Sequence, residues 1–203
     1  MSDPRAALPA QARGRDLLDA TAFVRERYGA AAHERVVTAL DPQRRDLFRQ
    51  SIRDVDWYPL DELVAYLRTA QAVLDPGAAD FFRRQGFFAA QRQRAELLAN
   101  AMATPESRAR LAPTTWRMFY SVGRLEVVGD TPYDARGRIH GFPATVELCE
   151  RFCGIWEGMV STPERRVHAE ETLCVRRGDP YCEIRIADAP AAQPSRPGTR
   201  EPG

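Results

Sequence analysis

The sequence predicts an α+β domain: N-terminal helices followed by a small antiparallel sheet, with one helix laid between two hairpins. Two observations carry that expectation. Apolar residues recur at helical spacing through the first two thirds of the 203 residues. After Gly123 the pattern turns to short strand-like runs around turn residues, ending in a ribbon about Gly178-Asp179-Pro180.

The elements follow in order. Residues 1–14 mix Pro, Ala and Arg without period and predict a flexible arm. "LLDATAFVRERYG" reads as a helix stopped by Gly29, and Asp41-Pro42 as an N-cap with proline at the first helical position. Tyr58-Pro59 opens the next helix, on which Leu60, Leu63, Val64, Leu67, Ala70 and Leu74 share one face. The helical pattern then continues to about residue 122, with interruptions expected at Gly86 and Pro113. "RLEVVGD" and "ARGRIHGF" form the first hairpin, a helix starts near Pro143, and "RRVHAEETLCVRRGDPYCEIRIA" closes as the second. Residues 188–203 have the composition of a disordered tail, which leaves a single domain over 15–187.

Composition removes several function classes. Basic and acidic residues number 29 and 28, and no long block of either sign occurs, so nucleic acid is not an expected partner. Every basic residue is arginine, which excludes a phosphate-loop lysine and a Schiff-base lysine. No signal-peptide core and no apolar run of membrane-spanning length occurs, so a soluble, cytoplasmic protein is expected, with no membrane partner. No nucleophile elbow, dinucleotide loop, HExxH or paired-carboxylate motif appears, and three histidines offer little for acid–base work. An enzyme is not expected; a small reductase would need a cofactor site that the sequence does not display.

The four cysteines are the pattern left to explain. Cys174 and Cys182 lie symmetrically about Gly178, so a tight loop there sets them opposite each other on one face of the ribbon. Cys149 and Cys153 are one helical turn apart. In a reducing cytosol such thiols are buried apolar groups, redox groups or metal ligands. The stripe Val146, Cys149, Cys153, Trp156, Val160 is compatible with plain burial. Glu170, Glu171 and His168 stand close enough in sequence to complete a metal site with the thiols.

The segment Gly141–Ile186, with "LCERFCGIWEG", "EETLC", "RRGDPYC" and "EIRI", resembles the 4-vinyl-reductase domain family. It is most similar to the aromatic-sensing input domains of bacterial activators, whose fold is shared with haem nitric-oxide-binding domains and trafficking-particle subunits. The resemblance implies a structural zinc held by Cys149, Glu171, Cys174 and Cys182, with Cys153 as a buried neighbour. Strict strand alternation puts Glu170 rather than Glu171 on the face of Cys174, so Glu171 needs a bulge to reach the metal, and Glu170 is the second choice.

The resemblance also implies a cavity for a small apolar or aromatic ligand between helices and sheet. Candidate lining residues are Trp116, Phe119, Tyr120, His140, Phe142 and Trp156, with the indole N–H of Trp116 and the His140 ring as polar anchors. The haem-binding relatives use a proximal histidine and a Tyr-x-Ser-x-Arg triplet. This sequence has no such triplet, and His33, His140 and His168 stand in no comparable context, which disfavours haem. The expected function is sensory: ligand binding reported through an unidentified signalling partner, with a homodimer expected. The rival reading is a scaffold module whose interior is filled and which binds no small ligand.

Overall fold

The computed structural model describes residues 9–97 and 104–188. The expected residues 1–8 of the arm and 189–203 of the tail lie outside them. The architecture is α+β. Its elements are β1 (Gln11–Arg13), α1 (Gly14–Tyr28), α2 (Ala30–Ala39), α3 (Pro42–Arg49), β2 (Trp57–Pro59), α4 (Leu60–Leu74), α5 (Phe81–Leu97) and α6 (Pro105–Phe119). They continue with β3 (Arg124–Thr131), β4 (Asp134–His140), α7 (Val146–Val160), β5 (Val167–Leu173) and β6 (Cys182–Asp188).

Local chemistry sets most boundaries. Gly29, at φ 90°, stops α1 by a backbone bond to Arg25. Asp41 accepts from the Arg44 N–H and Pro42 opens α3. Thr104 and Ser107 cap α6 reciprocally, and Thr145 accepts from the Leu148 N–H to start α7. Three expectations are corrected. Residues 11–13, placed in the arm, pair with 57–59 as β1 and β2, so Pro59 ends a strand and α4 begins at Leu60. Their register is too short to leave a period in the sequence. Helix α5 runs through Gly86, and α6 runs through Pro113, which removes only the hydrogen bond to the Ala109 carbonyl.

The main sheet has the order β3-β4-β6-β5, all antiparallel. The two hairpins therefore join through β4 and β6, and α7, which connects them in sequence, packs against β5 and β6. On its other side α7 meets α5 at very close range. A Cβ on Gly154 would fall 1.9 Å from the Arg83 carbonyl oxygen, and one on Gly86 would fall 2.0 Å from that of Arg151. Glycine at both positions lets the two backbones touch. One continuous core links α1, α2, α4, α5, α7 and the inner face of the sheet.

Candidate ligand pocket and thiol cluster

Two arrangements carry chemistry, and α7 contributes to both. The first is an apolar cavity of about 90 Å³. Helix α6 and its C-cap contribute Ala112, Trp116, Phe119 and Tyr120; α7 contributes Phe152, Trp156 and Met159; β3 adds Leu125. The aromatic wall is interlocked, with the Trp116 ring centroid 4.6 Å from that of Tyr120 and 5.3 Å from that of Phe152.

Beside this wall lies a buried ion pair. Arg151 of α7 is fully buried; its Nη2 donates to Asp16 Oδ1 at 2.7 Å, its Nη1 to the Tyr120 hydroxyl at 2.9 Å and its Nε to Gln85 Oε1 at 2.8 Å. Burial opposes the arginine charge, but Asp16 and Tyr120 more than compensate and hold its pKa above the ordinary value. Burial, together with the Asp16 carboxylate, pushes the Tyr120 hydroxyl pKa up against the pull of Arg151. Asp16 also lines the cavity, and its Oδ2 is buried without a hydrogen-bond donor.

Trp116, Phe119, Tyr120 and Trp156 thus meet around one cavity, as the sequence reading expected, whereas His140 and Phe142 are not among its described lining residues. Phe142 packs behind it on Trp116, at 5.0 Å between centroids. His140 sits on β4, its Nε2 3.2 Å from Glu126 and its ring beside Tyr181. Neither expected polar anchor is available, because the Trp116 indole N–H already donates to the Val122 carbonyl at 3.1 Å. The charged residues in the lining are Asp16 and Arg108, both buried, and the sequence reading missed both. An acidic residue in the first turn of a helix is ordinary helix chemistry, and nothing local marks it as buried.

The second arrangement is the thiol cluster. The Cys174 sulfur lies 3.8 Å from that of Cys149 and 3.7 Å from that of Cys182, and all four cysteines are free and buried. One donor atom each from Cys149, Glu171, Cys174 and Cys182 falls within 4.8 Å of all the others. Sulfur atoms about 3.75 Å apart match the edge of a tetrahedron whose centre lies about 2.3 Å from each vertex, a usual thiolate–metal distance. Glu171 Oε1 is buried without a donor, while Oε2 accepts from Arg177 at 3.0 Å.

The chain reaches this geometry through a bulge. Glu171 follows the buried Val167 and Ala169 on the inner face, the β5–β6 register shift between Glu171 and Leu173 brings Cys174 round to that same face, and Glu170 opposite Arg185 stays exposed. The tight loop expected about Gly178 is longer: Cys174 stands just outside β5, followed by a 3-10 turn at Val175–Arg177 and by Gly178 at φ 92°. The hydrogen bond from Cys149 lowers the Cys182 thiol and correspondingly raises Cys149, burial adds to the rise at Cys149, and burial is the main cause of the rise at Cys174. Cys153 lies outside the cluster, and burial pushes it up to about 12. His168 is not one of the cluster's donors; it stands by Glu157, at 3.1 Å.

No protein-family model matches this chain, and no curated protein does. Solved structures match well. An H-NOX protein from S. oneidensis in its Fe(II)NO state superposes with a TM-score of 0.68 at 11% identity, covering 88% of this chain and 99% of that one. This chain has the H-NOX fold. The Shewanella oneidensis H-NOX domain in its Fe(II)CO state gives 0.67 at 13% identity over 87% of this chain and 98% of that one. A mutant of the unliganded Fe(II) H-NOX protein from K. algicida gives 0.64 at 11% over 89% and 98%. These neighbours are described by their Fe(II) ligation states.

The comparison corrects two expectations. The neighbours are H-NOX proteins, not 4-vinyl-reductase domains. The earlier resemblance rested on residues 141–186, one helix and one hairpin, whereas the structural match includes the preceding helices. The zinc assignment, drawn from that resemblance, falls with it, since the H-NOX neighbours are described by Fe(II) ligation and by haem. Haem, in turn, does not fit the residues present. The aromatic-walled cavity is far below the roughly 300 Å³ or more of a drug-sized site, and none of the three histidines is among its described lining residues; His168 lines a separate, more open cleft of about 670 Å³, but its ring stands 3.1 Å from Glu157 among Asp80, Arg83, Arg84 and Arg166. His33 instead bonds to Tyr66 at 2.8 Å, and the Tyr120 oxygen is held by Arg151.

Proposed function

We propose that this chain is a sensory domain whose cavity between α6, α7 and β3 binds a small apolar or aromatic molecule, and whose output passes to a separate signalling partner. The observation that carries the reading is the cavity itself: an apolar, aromatic-walled space beside a buried ion pair. An engineered apolar cavity of about 150 Å³ takes up benzene, so a partly open space of about 90 Å³ suits one ring or less. The unfilled interior speaks against the scaffold reading. A homodimer is part of the proposal. None of the described helices is long and apolar enough to cross a membrane.

The donor set Cys149, Glu171, Cys174 and Cys182 is proposed as a cation site at the level of its ligand chemistry: three thiols and a carboxylate select a thiophilic ion. With all four positions supplied by the protein, its role would be to clasp the start of α7 to the β5–β6 ribbon. The test of the sensory reading is ligand-observed NMR with a panel of single-ring and smaller apolar compounds. Saturable binding that disappears in Ala112→Leu, which fills the cavity, is expected; a panel without a binder overturns the reading.

A further inference from the structure

Resting on the homodimer proposed above, we infer that two copies of this chain pair through a patch formed by Met118 and Val55, with Arg117 of each copy facing the partner subunit's Asp54. Met118 is 62% exposed and Val55 58%, the most exposed large apolar side chains among the described residues. Arg13 shows that the two are neighbours. Its Nε donates to the Met118 carbonyl at 3.0 Å and its Nη1 to the Val55 carbonyl, while its guanidinium lies 3.9 Å from the centre of the Trp57 ring. One guanidinium reaches both carbonyls, so the end of α6 and the loop before β2 form a single surface.

The loop that presents Val55 is pinned to the body of the protein. The Gly14 N–H donates to the Asp56 carbonyl at 2.9 Å, the Arg15 N–H to the Asp54 carbonyl at 3.1 Å and the Arg53 N–H to the Tyr58 hydroxyl at 3.1 Å. An apolar surface already held in one shape loses little freedom on association. Helix α6 walls the cavity with Trp116 and Phe119 and leaves Arg117 and Met118 exposed, so the ligand wall and the pairing surface share one helix.

The charges around the patch favour a second copy as its occupant. Arg53 is answered by Asp56 at 3.7 Å, and Arg13 by two carbonyls and the indole face. Arg117, next to Met118, and Asp54, next to Val55, are exposed and have no ion partner among the described residues. The α6 side of the patch is thus flanked by an unanswered positive charge and the loop side by a negative one. A two-fold axis brings each flank of one copy against the opposite flank of the other, and sets Met118 against the partner subunit's Val55 by the same operation. A partner of uniform charge would leave one flank facing its own sign.

Sedimentation equilibrium of the full chain, from micromolar to millimolar concentration, tests this. The unaltered protein should pass from the mass of one chain to that of two. Met118→Glu should weaken the association about tenfold or more, as expected where a charge replaces an apolar contact at the centre of an interface. Asp54→Arg sets two arginines face to face and should weaken it as well, while adding Arg117→Asp to that variant should restore it. All of these positions are exposed, and circular dichroism should show the fold unchanged in each variant. A chain that stays monomeric throughout overturns both this inference and the homodimer, and leaves the cavity to its own ligand panel. A dimer that Met118→Glu does not weaken, or that the exchanged pair of charges does not restore, overturns the assigned surface and leaves the homodimer standing.

Discussion

Arg151 Nη2 donates to Asp16 Oδ1 at 2.7 Å, joining the first turn of α1 to the middle of α7 across a separation of 135 residues, with both side chains essentially buried. Such a pair is weak evidence of net stability, because desolvation cancels much of the attraction. Breaking it is another matter. Arg151→Met leaves the Asp16 charge buried and alone, at a cost of about 3–5 kcal/mol. Removing both charges, in Asp16→Leu with Arg151→Met, recovers most of that loss. Urea unfolding of the two variants measures the difference, and a double variant no better than Arg151→Met would contradict the pairing.

The contact between α5 and α7 gives a second expectation. A methyl group on Gly154 meets the Arg83 carbonyl oxygen at 1.9 Å, and backbone on that side has no rotamer by which to retreat. Gly154→Ala should therefore separate the helices, with an overpacking cost of about 1–3 kcal/mol. For a chain of this size the melting temperature falls by roughly 2–4 °C per kcal/mol. An unchanged melting temperature in calorimetry would mean that the two backbones are not in contact at Gly154.

Much of the fold was legible because its signals are local. Gly29, Asp41-Pro42 and the turn residues about Gly178 announce themselves by backbone chemistry that no tertiary partner changes. The cluster was legible in part for the same reason, since helical and strand spacing bring Cys149, Cys174 and Cys182 to facing surfaces. The need for a bulge at Glu171 followed from strand alternation, and the β5–β6 register shift supplies it. What stayed hidden depends on partners distant in sequence. On α5, Arg92 bonds to the buried Asp19 at 3.1 Å and Arg94 to the Ser161 carbonyl at 2.6 Å, contacts that no local spacing announces. Asp16 looked like a routine first-turn acid, and only Arg151 on α7 turns it into half of a buried ion pair.

His33 gives the chain a built-in acid sensitivity. It is buried on α2 with Nδ1 2.8 Å from the Tyr66 hydroxyl, and burial, aided by the nearby Arg25 charge, lowers its pKa from the usual 6.5. The unfolded chain then binds more protons at this position than the folded one, so stability rises with pH across the interval between the two values. Acidification below about 6.5 should therefore cost stability progressively, down to the folded-state value. His33→Gln removes that component, so over this interval the unaltered protein should lose stability with acid more steeply than the variant. Parallel slopes would show that His33 titrates alike in both states.

The thiol cluster separates its cysteines by role. Cys149, Cys174 and Cys182 contribute sulfur to one small volume together with Glu171, whereas Cys153, one turn from Cys149, is buried outside it. A thiophilic probe ion such as cadmium should bind the reduced chain at one equivalent and produce the ultraviolet charge-transfer band of cadmium thiolates, whose intensity reports the number of sulfur ligands. Cys153→Ser should leave the band unchanged. Cys174→Ser should remove it along with the thermal stabilisation that the ion confers, because the sulfur lost is the one within 3.8 Å of both others. Glu171→Gln should keep the band and weaken the affinity, since the three sulfurs remain while the charge of the fourth donor is gone. Equal binding by all three variants would contradict a shared site. It would return the cysteines to the role of packing groups, in which Cys174→Ser costs stability only through the polar hydroxyl it buries.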